Sequence, residues 1–129
     1  MNNKVKKYYK NKWQHFDSVK YWKRRNIIVD PKIKKNRLKC FVCLRYIKRS
    51  ECFNCAYIST YLNGGAVFKS APNMPHGLNG IIIGDNVYIG NNCTIMHRVT
   101  IAEGTKDNPT IIGDNVFIGA GAVIRSSKK

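Results

Sequence analysis

The chain has 129 residues, 43% of them apolar, and a formal net charge of +16. That length suits one domain, or one domain with an appendage, and no apolar run approaches the roughly 20 residues a bilayer-spanning helix needs. The opening "MNNKVKKYYKNKW" carries charge but no apolar centre, so it does not read as a secretory signal, and the expected location is the cytoplasm.

The charge is unevenly placed. Residues 1–50 hold 17 Lys/Arg against two Asp/Glu, whereas residues 51–129 hold six against five. A basic segment of this kind implies a polyanionic partner or a solvated helical surface. Within it, Asp17-Ser18 offers a cap for a short helix from about Val19. The stretch "NIIVDPKIKKN", with Pro31 after Asp30, is a break. Then "RLKCFVCLRYIKRSECF" places apolar residues at 38, 41, 42, 44, 46 and 47, a spacing nearer helical than alternating. It predicts a helix from about Asn36 to Phe53.

Four of the five cysteines, Cys40, Cys43, Cys52 and Cys55, form two Cys-x2-Cys pairs eight residues apart. The pattern is similar to a zinc ligand set with a short central gap. Four-thiolate coordination would fold the chain back against the helical pattern of 38–47, so the cysteines read as small buried residues and no metal is expected.

From Ala56 the composition shifts to Gly, Asn, Ile and Val. The stretch "NGGAVFKSAPNMPHGLNG" reads as turn-rich and irregular. Isoleucines then recur every six residues at 83, 89, 95 and 101. An insertion of five residues around "TKDNPTI" follows, and the count resumes at 112, 118 and 124. Hexapeptide repeats mark a parallel β-helix. Each hexad supplies a short strand and a corner, three hexads close a triangular coil, and coils stack at about 4.8 Å. Isoleucine at the first position points inward. The fifth position (Val87, Cys93, Val99, Val116, Ala122) is small because it too faces the narrow interior. Gly-Asp-Asn and Gly-Asn-Asn fill the corners, where Gly and Asn tolerate positive φ. One rung carries His97-Arg98 instead, which reads as surface variation or as a contact to a ligand or subunit. Only two clean hexads follow the insertion, so Ile118 and Ile124 are expected to present exposed edges. The expected architecture is mainly β: a left-handed parallel β-helix over 56–129, shortened at its C-terminal end, preceded by a basic α-helical segment over 1–55.

The segments "HGLNGIIIG" (76–84), "NNCTIMHRVTIAEG" (91–104), "TKDNPTI" and "IGDNVFIGAGAVI" (112–124) together resemble the left-handed β-helix acyltransferases. They are most similar to the serine O-acetyltransferase-like group, which includes O-acetyltransferases of polysaccharide biosynthesis. The resemblance implies acetyl transfer from acetyl-CoA to a hydroxyl acceptor, in a homotrimer with active sites between neighbouring prisms. It assigns the catalytic base to His76. An imidazole suits that task because imidazoles as a class titrate near neutral pH. The resemblance also implies cofactor contacts at Gly104 and along Gly119, Ala120, Gly121 and Ala122, where small residues let a pantetheine arm approach the backbone. His97, Arg98 and Asn108 are the candidate substrate-binding residues, with His97 a candidate second imidazole. Pro75 stands where the serine enzymes carry an Asp, and Asn108 where they carry a second His before the loop proline. Both differences favour a sugar hydroxyl over serine. On this reading the basic segment caps the first coil. Nucleic acid is not an expected partner, although the interleaved aromatics would suit stacking; weak association with an anionic membrane surface is compatible with the charge. The alternative is a non-catalytic basic binding protein on a relic β-helix.

Overall fold

A computed structural model describes residues 1–127. Three helices come first: α1 (Asn3–Gln14), α2 (Ser18–Val29) and α3 (Arg37–Phe53). Each begins where a polar side chain takes up an orphan amide. Asn2 Oδ1 accepts from Lys4 N at 2.9 Å, Asp17 Oδ1 from Lys20 N at 3.2 Å, and Asn36 Oδ1 from Lys39 N at 3.2 Å. Helix α2 starts at the Asp17 cap the sequence offered, and α3 spans the range expected from its apolar spacing, with Asn36 as its cap. Helix α1 lies within the basic α-helical segment expected over residues 1–55, where no start or end was assigned to it; it stops at His15, which adopts a left-handed conformation with φ 47°.

Eleven short strands follow: β1 (Tyr57–Ile58), β2 (Thr60–Tyr61), β3 (Gly64–Gly65), β4 (Val67–Phe68), β5 (Ile82–Ile83), β6 (Val87–Ile89), β7 (Thr94–Ile95), β8 (Thr100–Ile101), β9 (Thr110–Ile112), β10 (Phe117–Ile118) and β11 (Val123–Ile124). All but β2 and β3 stack in three parallel ladders, one per face of a triangular coil. The first is β1-β5-β8-β11, with Ile58, Ile83, Ile101 and Ile124 in register. The second is β4-β6-β9, with Phe68, Ile89 and Ile112 in register. The third joins a bridge at Asn73 to β7 and β10, with Ile95 above Ile118.

The stretch expected to be irregular, residues 63–80, is largely the first coil. Its period is hidden because the antiparallel β2–β3 hairpin is inserted at one corner, which puts Ile58 out of phase with the hexads that follow.

Inside the coil the first-position isoleucines 83, 89, 95, 101, 112 and 118 are buried, as are Val87, Cys93 and Val99. Outward neighbours on the same strands, such as Ile82, Tyr88 and Ile111, are exposed, so side chains alternate across each short strand. Full burial of each isoleucine contributes about 1.5–3 kcal/mol. Ile118 is buried rather than exposed, because Ile95 covers it from the coil before; Ile124 is half-buried. The fourth position of each rung takes the left-handed turn. Asn86, Asn92, Arg98, Asn115 and Gly121 have φ between 52° and 73°.

The helices close the open end of this stack and share its core. Tyr21, Ile28, Cys43 and Ile47 are buried in the same apolar cluster as Ile58, Ala66, Leu78 and Ile81. Two buried charged side chains join helix to coil. Arg25, 3% exposed, donates from Nη2 to Ser59 O at 2.8 Å and Ala66 O at 2.7 Å, and from Nε to Thr60 Oγ1 at 3.0 Å. Glu51, 2% exposed, accepts through Oε1 from Tyr21 Oη at 2.9 Å and Ile58 N at 3.3 Å, and pairs through Oε2 with Lys48 at 3.0 Å. The first coil has no coil above it, and these groups bond backbone atoms along its edge; Ser59 O, which also accepts from Ala66 N at 3.0 Å, gains a second donor.

Replacing Arg25 by Leu should lower the unfolding free energy by about 2–4 kcal/mol, because buried acceptors lose their donor; urea unfolding measures this. A pH effect is also expected. Burial, then the Glu51 charge and hydrogen bond, raise the Tyr21 pKa well above its ordinary value of 10.0. The folded chain therefore keeps a proton that the unfolded chain releases. That contribution is fully present below pH 10.0 and is lost as pH rises towards the folded value. Tyr21→Phe should show a flatter alkaline decline in urea midpoint than the parent.

Candidate active site at one corner of the coil

The corner between the third and first ladders carries most of the candidate residues, one level per coil. The uppermost level is the segment from Met74 to Gly80, between the Asn73 bridge and β5. The next is Met96 to Val99, between β7 and β8, and the next Gly119 to Ala122, between β10 and β11. Backbone hydrogen bonds tie the levels together. Arg98 N donates to Asn79 O at 2.8 Å and Gly121 N to His97 O at 3.1 Å.

The uppermost level is also held by the helical cap. Gly80 N donates to Asn54 O, the residue after α3, at 2.8 Å. Gly77 lies against Gln14 and the Phe16 ring, both 3.3 Å from where its Cβ would stand. Lys10 Nζ donates to Pro75 O at 3.3 Å. Asn54 Nδ2 donates to Gln14 O at 2.9 Å and Ser50 Oγ to His15 O at 2.6 Å, so α3 fixes the end of α1 beside this loop. Nothing in the sequence marks Lys10, Gln14 or Asn54 as supports, because each contact joins residues far apart in the chain.

His76 is exposed, and the His97 ring from the next level meets it edge-to-face, with centroids 4.7 Å apart and planes at 77°. His97 thus turns towards His76 rather than straight out to solvent. It is half-buried, and its Nδ1 is buried with no hydrogen-bond partner among the described residues. Arg98 is exposed and holds a left-handed φ of 57°, a conformation that costs a non-glycine residue on the order of 1–2 kcal/mol. Its Cγ lies 2.9 Å from where a Cβ on Gly80 would stand. The corner thus places an arginine in the left-handed turn that other rungs give to asparagine or glycine, packed where only a glycine fits opposite it.

Below His97, nothing lies within 4 Å of a Cβ built on Gly119 or Gly121 among the described residues. That strip of backbone is open to a ligand lying along it.

Gly104 and Asn108 are elsewhere. They belong to the inserted loop between β8 and β9, at a different corner of the prism. Gly104 is buried against the backbone of Thr110, Asn86 and Pro109. Asn108 Nδ2 donates to Ser127 O at 3.0 Å, and Asn108 N to Thr105 Oγ1 at 2.9 Å, which closes the loop. Within one chain the structure brings together His76, His97, Arg98 and Gly119–Ala122, and leaves Gly104 and Asn108 apart.

The cysteines of the helical segment do not converge on a site: Cys43 is buried, Cys40 half-buried, and Cys52 and Cys55 exposed. Among the described residues no group of three or more His, Cys, Asp or Glu is placed to hold a metal. Cys93 is buried at its interior position, with Sγ 3.1 Å from Gly113 O.

Comparison with known families fits this geometry. Residues 80–106 match the family described as bacterial transferase hexapeptide (six repeats), and residues 109–126 that described as hexapeptide repeat of succinyl-transferase. Hexapeptide repeats of the kind these family models describe are therefore present over residues 80–106 and 109–126. Such repeats imply a left-handed β-helix, and at the level of the family they point to acyl transfer. No curated protein and no solved structure matches the chain.

Gly80→Ala should lower stability by about 1–2 kcal/mol, since φ is 64° there and the new Cβ meets Arg98. Gly119→Ala, in open space without positive φ, should stay within about 0.5 kcal/mol. Urea midpoints of the two variants measured side by side make the comparison.

Proposed function

We propose that the chain is an acetyl-CoA-dependent O-acetyltransferase that moves an acetyl group to a hydroxyl of a small molecule or sugar, with His76 as general base. The observation that carries this reading is the single corner on which His76, His97 and the open Gly119–Ala122 backbone lie one coil above another. The family matches support acyl transfer over other chemistries. The acceptor is better read as a sugar hydroxyl than as serine, because Pro75 precedes the base and Asn108 precedes Pro109.

On this reading His76 removes the acceptor's hydroxyl proton as its oxygen attacks the thioester carbonyl. The tetrahedral intermediate collapses by breaking the carbon–sulfur bond. The imidazolium of His76 returns the proton to the departing thiolate, so the base is regenerated with each turnover. No Asp precedes His76 to orient it, and the edge-to-face His97 ring restricts its rotation instead. Arg98, exposed beside the pair, offers a positive charge to the acceptor or to phosphates of the cofactor. The Gly119–Ala122 strip leaves room for the pantetheine arm. A homotrimer would place a neighbouring prism across this corner and complete a cleft, which is how hexapeptide-repeat transferases typically assemble.

His76→Ala should lower kcat by about 10²–10⁴-fold with an unchanged circular dichroism spectrum. The assay is CoA release followed by mass spectrometry, with serine and a panel of sugars and nucleotide sugars as acceptors. Gly119→Val should raise KM for acetyl-CoA more than it lowers kcat. An unchanged rate in His76→Ala removes this residue from the mechanism. A folded chain without turnover on any acceptor returns the reading to a non-catalytic basic binding protein.

A further inference from the structure

Helix α1 is amphipathic, yet none of its residues is buried. At 100° per residue, Val5, Tyr8, Tyr9 and Trp13 fall within a sector of roughly 140°. They are 40%, 61%, 51% and 82% exposed. The contacts that hold α1 to the body come from its polar side and its end. Lys10 reaches Pro75 O, and Gln14 lies against Gly77. The helix is docked with its polar side towards the protein and its aromatic stripe towards solvent. Lys4 and Lys6 edge that stripe, and Lys12 lies within it.

The surrounding charge says what can cover the stripe. Among the described residues the only ion pair is Lys48–Glu51, so the other sixteen basic residues of 1–50 have no carboxylate within 4.0 Å. A second copy of a chain of net charge +16 is a poor match for such a face. Nucleic acid matches the charge, but strand binding uses a basic groove with stacking platforms, whereas this stripe lies on a convex helix and includes the aliphatic Val5. An interfacial helix rich in lysine, with Trp and other apolar residues along one side, is what binds an anionic bilayer surface. The helix is 12 residues long, and no helix among the described residues is long and apolar enough to cross a membrane.

We propose that α1 is a membrane-docking helix that lays Val5, Tyr9 and Trp13 into the headgroup region of an anionic lipid surface. Lysines beside the stripe neutralise lipid phosphates, and the Lys10–Pro75 contact then holds the His76 loop close to the bilayer. Docking itself does not depend on acetyl transfer. Its consequence does: if the reading of His76 holds, the acceptor hydroxyl belongs to a molecule presented at the membrane.

The test is flotation of the purified full-length chain with phosphatidylcholine vesicles, with and without phosphatidylglycerol. The parent should float only with the anionic vesicles, and tryptophan emission should shift to the blue on binding, a shift absent from Trp13→Ala. Tyr9→Ala/Trp13→Ala should weaken binding at least 10-fold. Lys4→Gln/Lys6→Gln/Lys12→Gln should weaken it on the order of 100-fold. All these side chains are exposed, and circular dichroism checks that the variants fold. Absence of flotation with anionic vesicles overturns the proposal. So does salt-sensitive binding indifferent to Tyr9 and Trp13 and matched by retention on heparin or DNA, which assigns the surface to a polyanion. An oligomer that dissociates on Trp13→Ala, with vesicle binding unchanged, assigns the stripe to a second copy and also overturns it.

Discussion

A stack of parallel coils has one persistent problem, the unpaired backbone at its ends, and here a single buried guanidinium meets it. Arg25 reaches from α2 into the first coil and donates to two carbonyls and a hydroxyl. A charge taken out of water is unfavourable, and burial does lower the Arg25 pKa. Carbonyl dipoles converging on the fork offset that cost. No hydrophobic side chain could do the same, because the coil needs donors at that edge. Glu51 makes the complementary contact, accepting the amide of Ile58. Between them they fix α2 and α3 on the first coil as a lid, and Ser50 and Asn54 of the α3 end then hold α1 to it.

The candidate site inherits its geometry from that lid. The His76 loop lies at the seam of helix and coil, and its neighbours on one side are Gln14, Phe16 and Asn54. His97 belongs wholly to the coil. The meeting of the two imidazoles therefore depends on how the lid sits, not on the repeat alone. A change in the Arg25 contact would be felt at His76 without touching it.

How far the chain could be read in advance follows from the same division. From Ile83 onward the period of six is explicit, since inward positions need Ile or a small residue and the fourth position needs Asn, Gly or a tolerated exception. The interior of the coil, including Cys93, was legible on that basis. The first coil was not, because the β2–β3 hairpin displaces Ile58 from the period and a bridge at Asn73 stands in for a strand. His76 had no register either, because the chain from Asn73 to Ile82 is longer than the paired stretch from Thr94 to Thr100, so nothing in the sequence put it beside His97. Helix α2 announced itself through Asp17, and α3 through its apolar spacing from Leu38 to Ile47. The return of α1 onto the Pro75 loop rests on a lysine and a carbonyl, which leave no pattern. Gly104 and Asn108, grouped with the site by resemblance, lie at another corner because the inserted loop leaves the coil there.

The placing of the lid ahead of the coils has a consequence for how the chain is made. A ribosome delivers α1, α2 and α3 before any regular hexad, so the edge-satisfying surface can exist before the first coil needs it. Each later coil then has a finished one to pair against, and its register is inherited rather than searched for. Growth of this kind runs in one direction, as crystallisation does from a seed. A repeat protein assembled so is protected against the slipped pairings that identical hexads would otherwise permit.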